Sequence, residues 1–160
     1  MEKIYIGKIV NTHGIKGELR ILSKFPYKDR VFKPNHKLII DDKEYTIQTY
    51  RPHKEYDMVT LDDYKNINEV LFLLKKEVYY NKEDLNLEDD EVLDEDLIHY
   101  HVVTTTKEEG TITEIFYASE TNKILRVQLN HEVLIPFSSP MIKKIDKEKK
   151  EIVIELIEGY

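Results

Sequence analysis

Short runs of β-branched and aromatic residues, each closed by turn-forming residues, constrain this chain more than any other feature. In the first half they are Ile4–Val10, Glu18–Leu22, Lys37–Ile40, Tyr45–Arg51 and Asp57–Leu61. In the second half they are Ile98–Thr104, Gly110–Tyr117, Lys123–Leu129, Glu132–Pro136, Met141–Ile145 and Glu151–Leu156. Runs this short and evenly spaced predict an all-β barrel or sandwich. Asp41-Asp42, between two of them, predicts a hairpin turn, since Asp tolerates turn backbone. One segment breaks the pattern. Asn66-Ile67-Asn68-Glu69 has the form of a capping box, and Ile67, Val70, Leu71 and Leu74 follow at the spacing of one buried helical face. This predicts one short helix over the end of a barrel.

A chain of 160 residues accommodates one ordinary domain or two small ones. The boundary is marked by charge. From Lys82 to Asp96 there is one Lys against nine acidic residues, with Leu85, Leu87, Val92 and Leu93 punctuating the run. We read 1–81 as a first β-domain, 82–94 as an acidic linker that partly packs, and 95–160 as a second β-domain.

Hydrophobic residues make up 41% of the chain, enough for packed cores. Cysteine is absent, which removes disulfides and thiolate metal sites. The opening MEKIYIGKIV runs straight into a strand pattern without the apolar core of a secretory signal. No apolar run approaches the ~18–20 residues that cross a bilayer. The expectation is a soluble, cytoplasmic protein. The net charge of −7 conceals an uneven distribution, since Met1 to Lys37 carries nine Lys/Arg against three Asp/Glu. That stretch is basic enough to meet RNA phosphate, although on charge alone ordinary surface variation is the favoured account.

Motifs for catalysis are lacking. His99 and His101 would share one face of a strand and could offer two imidazoles, but no further ligands at zinc spacing accompany them. Ser138-Ser139 lie outside any nucleophile elbow. The few glycines form neither a phosphate loop nor a dinucleotide fingerprint. The acidic run 88–91 lacks the spaced ligands of a calcium loop. The chain therefore reads as a non-enzyme with no cofactor and no metal.

Two basic segments stand out. In Gly7–Arg20, Gly14 and Gly17 bracket Ile15-Lys16 directly after a strand, with His13, Lys16 and Arg20 as donors around the turn. It is either a glycine-assisted barrel corner with exposed cations or an interaction loop displayed by a barrel. In Tyr50-Arg51-Pro52-His53-Lys54 an aromatic, two cations and a His gather where Pro edges a strand. Such a set suits RNA phosphates and bases, and it also suits any protein surface.

At these residues the sequence resembles the RimM family of small-subunit ribosome maturation factors. The resemblance is carried by Gly7-Lys8-Ile9-Val10 and Thr12-His13-Gly14-Ile15-Lys16-Gly17-Glu18-Leu19-Arg20. It continues through Phe25-Pro26, Phe32-Lys33-Pro34, Arg51-Pro52-His53-Lys54 and Ile67-Asn68-Glu69. In the second half Asp96-Leu97-Ile98, Gly110–Ile115, Leu134-Ile135-Pro136-Phe137, Ile145-Asp146 and Glu158-Gly159 are similar to the family's PRC-type barrel. Three places depart from the pattern. Val92-Leu93 stand where relatives carry an aromatic pair, His99 replaces a glycine, and Leu74-Lys75-Lys76 replaces Leu-x-Gly after the helix.

The resemblance implies a six-stranded N-terminal barrel and a C-terminal PRC-type barrel. It implies binding to a head-domain protein of the small ribosomal subunit (the nineteenth in the standard naming) and to the immature subunit. The consequence would be late folding and processing of 16S ribosomal RNA, without nuclease activity or cofactor, by a monomer. The residues expected at the contacts are His13, Gly14, Lys16, Gly17, Arg20, Arg51 and His53 in the first domain. In the second they are Ile135, Pro136 and Phe137, of which Phe137 could equally be core. A stand-alone RNA-binding barrel and a small hydrolase built from scattered Asp, Glu and His are the alternative readings.

Overall fold

The computed structural model describes residues 2–160. It divides the chain into a first compact unit ending at Asn86 and a second beginning at Leu87. Almost all regular structure is strand.

In the first unit β1 (Lys3–His13), β2 (Glu18–Leu22), β3 (Lys37–Ile40), β4 (Lys43–His53), β5 (Tyr56–Leu61) and β6 (Glu77–Asn81) form a closed barrel in the order β1-β2-β5-β4-β3-β6. A one-turn helix, α1 (Lys28–Val31), lies between β2 and β3 and buries Val31. All the barrel's pairings are antiparallel, and β6 returns to β1 to close the cylinder. The inner face follows the two-residue period: Ile4, Ile6 and Ile9 from β1, Leu19 and Ile21 from β2, Val59 and Leu61 from β5, and Val78 and Tyr80 from β6 are buried. Each fully buried Ile or Leu here contributes about 1.5–3 kcal/mol of transfer free energy. The long strands are bulged, β1 between Ile9 and Asn11 and β4 between Ile47 and Thr49, which sharpens the coiling a narrow barrel needs. Asp41 and Asp42 both adopt positive φ (52° and 62°) in the two-residue β3–β4 hairpin, as the Asp pair predicts. Sequence reading missed β6. Its pattern of buried Val78 and Tyr80 around Tyr79 is only a few residues long and follows a helix-like run.

The expected helix is two successive 3₁₀ turns, Ile67–Glu69 and Leu71–Leu73. The buried positions are Val70 and Leu73, three residues apart, while Leu71 is 47% exposed. The 3.6-residue face of Ile67, Val70, Leu71 and Leu74 is thereby corrected to a three-residue period. Tertiary hydrogen bonds claim both ends of the segment: Ile67 N donates to Ile15 O (2.8 Å), and Lys75 N donates to Ile9 O (2.8 Å). A stretch this short gains too little from α-helical propagation to resist them. The Asn66 cap does form, its side chain accepting from Glu69 N at 3.2 Å. The tight exit is made by Lys75, in left-handed conformation at φ 66°.

In the second unit β7 (His101–Thr104), β8 (Glu109–Ser119), β9 (Asn122–Gln128), β10 (Glu132–Pro136), β11 (Ile142–Asp146) and β12 (Glu151–Ile154) form one sheet. Its order is β10-β9-β8-β7-β12-β11, curled into a half-barrel with β10 and β11 at its edges. Only β7 and β12 run parallel. The predicted strand Ile98–Thr104 begins at His101. Before it, Asp94–Leu97 forms a one-turn helix, α2, with three acidic residues favourably placed in its first turn. His99 lies in the turn after α2, so His99 and His101 do not share a strand face. Val92, Leu97 and Tyr100 pack with Val102, Ile112, Leu125, Val127 and Ile135 in the core of this unit. No described helix is long and apolar enough to cross a membrane.

Candidate functional site

The β1–β2 hairpin places most of the expected contact residues of the first unit on one patch. Its register sets His13 opposite Glu18 and Asn11 opposite Arg20. Since Leu19 is buried in the barrel, its neighbours Glu18 and Arg20 point outward. Arg20 and Arg51 each pair with Met58, from opposite sides of β5, and His53 pairs with Tyr56. The outer face at this end of the barrel thus carries His13, Glu18, Arg20, Arg51, His53 and Tyr56.

Short contacts tie these groups together. Arg20 Nη2 and His13 Nδ1 lie 2.7 Å apart, and the rings of His13 and His53 are 5.9 Å apart. Arg51 donates through Nε and Nη2 to the two carboxylate oxygens of Glu18, each at 2.8 Å. The guanidinium of Arg20 sits 5.7 Å from the Tyr56 ring. Arg20 Nε is buried without a hydrogen-bond partner. Glu18 was not anticipated from sequence, because its partner Arg51 is 33 residues away. The hydrogen bond from Arg51 holds its carboxyl below the usual glutamate value, outweighing partial burial, with His13 and His53 adding smaller effects.

The turn itself is held from below. Gly14 and Gly17 adopt φ of +76° and +86°, a region side chains disfavour. A Cβ on Gly14 would meet nothing, whereas one on Gly17 would lie 2.8 Å from Asn66 O. Together with the Ile67 N to Ile15 O bond, this seats the turn on the first 3₁₀ segment. Lys16 projects from it, exposed. All the first-unit candidates therefore gather at one end of the barrel. What they can do chemically is bind anions. Among the described residues, no group of three His, Cys, Asp or Glu side chains is arranged to hold a metal.

The second-unit candidates divide. Ile135 is a fully buried core residue, so its side chain presents nothing to a partner. Pro136 and Phe137 are partly buried and border the surface. Phe137 packs against the core and holds Lys123 Nζ 4.3 Å from its ring. Lys123 is itself almost fully buried and pairs with Asp94 at 2.9 Å, and Asp94 also accepts from Tyr117 OH at 2.7 Å. A desolvated cation–π contact of this kind is worth up to about 2 kcal/mol and locks the Phe137 ring. Val92 and Leu93, at the position of the family's aromatic pair, are 3% and 5% exposed. An acidic substitution at either would disrupt this core before it reported on any partner.

Comparison with known proteins matches residues 4–85 to the RimM N-terminal domain and residues 89–160 to the PRC-barrel domain. A ribosome maturation factor RimM from Staphylococcus aureus (strain NCTC 8325 / PS 47) is 34% identical over 98% of each chain. A crystal structure of a 16S ribosomal RNA processing protein, RimM, from Pseudomonas aeruginosa has 18% identity and a TM-score of 0.47, covering 99% of this chain and 100% of its own. The solution structure of the N-terminal domain of RimM from Thermus thermophilus has 19% identity and a TM-score of 0.48, covering 54% of this chain and 98% of its own.

Proposed function

The chain belongs to the RimM family, and on that premise we propose that it is a ribosome maturation factor. In this reading it binds a head-domain protein of the small ribosomal subunit (of the S-nineteen family) and the immature subunit. It thereby promotes late assembly and 16S ribosomal RNA processing. It acts in the cytoplasm as a monomer, by contact and not by catalysis, and without a cofactor. The barrel of 1–81 and the PRC-type domain of 95–160 are its two working parts, joined by the acidic stretch 82–94.

The observation that carries this reading is the gathering of His13, Lys16, Arg20, Arg51 and His53 at one end of a barrel, on strands far apart in sequence. Such a face suits phosphate oxygens. The second unit has the opposite character, with eight Lys/Arg against seventeen Asp/Glu from Leu87 to Tyr160. That composition suits a strongly basic ribosomal protein. We assign the RNA contact to His13, Gly14, Lys16, Gly17, Arg20, Arg51 and His53, and the protein contact to Pro136 and Phe137, with Ile135 supporting them from the core.

Calorimetry of the purified chain with the head-domain ribosomal protein tests this. One-to-one binding is expected, weakened at least tenfold by Phe137→Ala in a folded variant, since a central aromatic anchor is worth about 1.4 kcal/mol or more. Lys16→Ala/Arg20→Ala is expected to leave that binding intact and to weaken association with immature subunits. Absence of protein binding, combined with salt-sensitive binding to naked RNA, would instead favour a stand-alone RNA-binding barrel.

A further inference from the structure

A single exposed apolar side chain is ordinary on a protein surface. Ile15 differs in three respects. It is 81% exposed, the most of the large exposed hydrophobic side chains in the described residues. It stands on a turn that the fold seats firmly, between Gly14 and Gly17 at positive φ, with its own carbonyl bonded to Ile67 N and Gly17 against Asn66. It also stands near cationic groups: Lys16 is exposed beside it, and Arg20 lies half-buried on the outer face of the strand that leaves the turn. Two acidic groups of the hairpin and the segment beneath it are engaged internally, Glu18 by Arg51 and Glu69 by Lys65 N and Asn66 Nδ2.

We infer that Ile15 is a wedge that packs against an unstacked RNA base while the nearby cations hold the flanking phosphates. This rests on the reading of the barrel end as the RNA-facing surface and adds the mode of contact. Charge selects RNA over protein as the occupant. An exposed apolar knob beside Lys16 and Arg20, with Glu18 paired to Arg51, disfavours the basic proteins of a ribosomal subunit and attracts a polyanion. Apolar side chains set among cations are a recurring means of prising open a base step, and unpaired RNA loops offer bases at low unstacking cost. A hydrogen-bonded seat beneath the turn lets the side chain press without the turn collapsing.

The test is a fluorescence-anisotropy titration of the full chain with a transcript of the 16S ribosomal RNA 3′ domain, over a salt series, with chemical probing of base stacking in the complex. Ile15→Ala is expected to weaken binding roughly tenfold and to leave the salt slope unchanged. It should also abolish the reactivity of the base unstacked by the parent protein. Lys16→Ala should instead lower the salt slope by about one and preserve the unstacking. Ile15 is so exposed that Ile15→Ala should melt with the parent. Binding of Ile15→Ala within twofold of the parent, with Lys16→Ala still weakened, would overturn the wedge and leave the RNA-facing reading standing. Loss of affinity for the ribosomal protein on Ile15→Ala, with RNA binding unchanged, would make the residue a protein contact and overturn it also. No binding of the transcript by the parent chain would overturn both the wedge and the RNA-facing reading.

Discussion

Arg51 illustrates how a side chain's role changes when its neighbours are known. In sequence it is a free cation in a basic stretch, whereas in the fold its Nε–Nη2 edge donates to both carboxylate oxygens of Glu18. The pair brings rigidity and planarity to the patch more than net positive charge. Because the folded state holds the Glu18 carboxyl below its ordinary value of 4.5, the resulting stabilisation is fully present above that value. It is lost as the pH falls through the lower folded value. Glu18→Gln is accordingly expected to lower the melting temperature at neutral pH. The gap to the parent should narrow on acidification below about pH 4.5, and thermal melts at neutral and acid pH read this directly. A gap that stays constant with pH would mean that the pair does not couple to stability. Positive charge at the turn comes instead from Lys16, which is exposed.

Among the elements, the β1–β2 hairpin and the 3₁₀ turns below it behave as one device. Gly14 and Gly17 look equivalent in sequence, yet their surroundings separate them. Gly14→Ala meets only the left-handed backbone penalty, about 1 kcal/mol. Gly17→Ala adds a steric conflict with the Asn66 carbonyl, a backbone atom that cannot move without displacing the 3₁₀ turn. Its cost is expected to be about 2–3 kcal/mol. Denaturant unfolding of the two variants should rank them in that order, and equal costs would show that the turn is not seated as described. The same coupling explains why the segment after Asn66 is 3₁₀ and not α. The barrel's hydrogen bonds set its ends, and the interior accommodates a tighter winding.

At the scale of the whole molecule the dominant feature is the partition of charge between the units. The first carries the basic end and the second a strong acidic excess. Salt is expected to weaken the two contacts separately, because each rests on exposed charge screened over about 10 Å at ~0.1 M ionic strength. Raising salt from ~0.1 M to ~0.5 M should reduce affinity for RNA steeply and for the ribosomal protein more gently, the latter keeping the apolar share supplied by Phe137. Parallel titrations of both partners in the same buffers measure the difference. A salt-independent RNA affinity would remove the phosphate contacts from the account.

Sequence alone determined what is local. Strand positions follow from a two-residue period that each segment carries within itself. The Asp41-Asp42 hairpin follows from the tolerance of Asp for positive φ, and the Asn66 cap from its spacing to Glu69. The family was legible for the same reason, since its motifs are contiguous in the chain. Tertiary structure decided whatever depends on residues meeting across long separations. It recruited β6 to close the barrel, set β12 parallel to β7, joined Arg51 to Glu18, and withdrew Ile135, Val92 and Leu93 into a core. It also parted His99 from His101 by ending a helical turn between them. Pairing partners are chosen by the best joint burial and hydrogen bonding of the whole sheet, a property that no single segment contains.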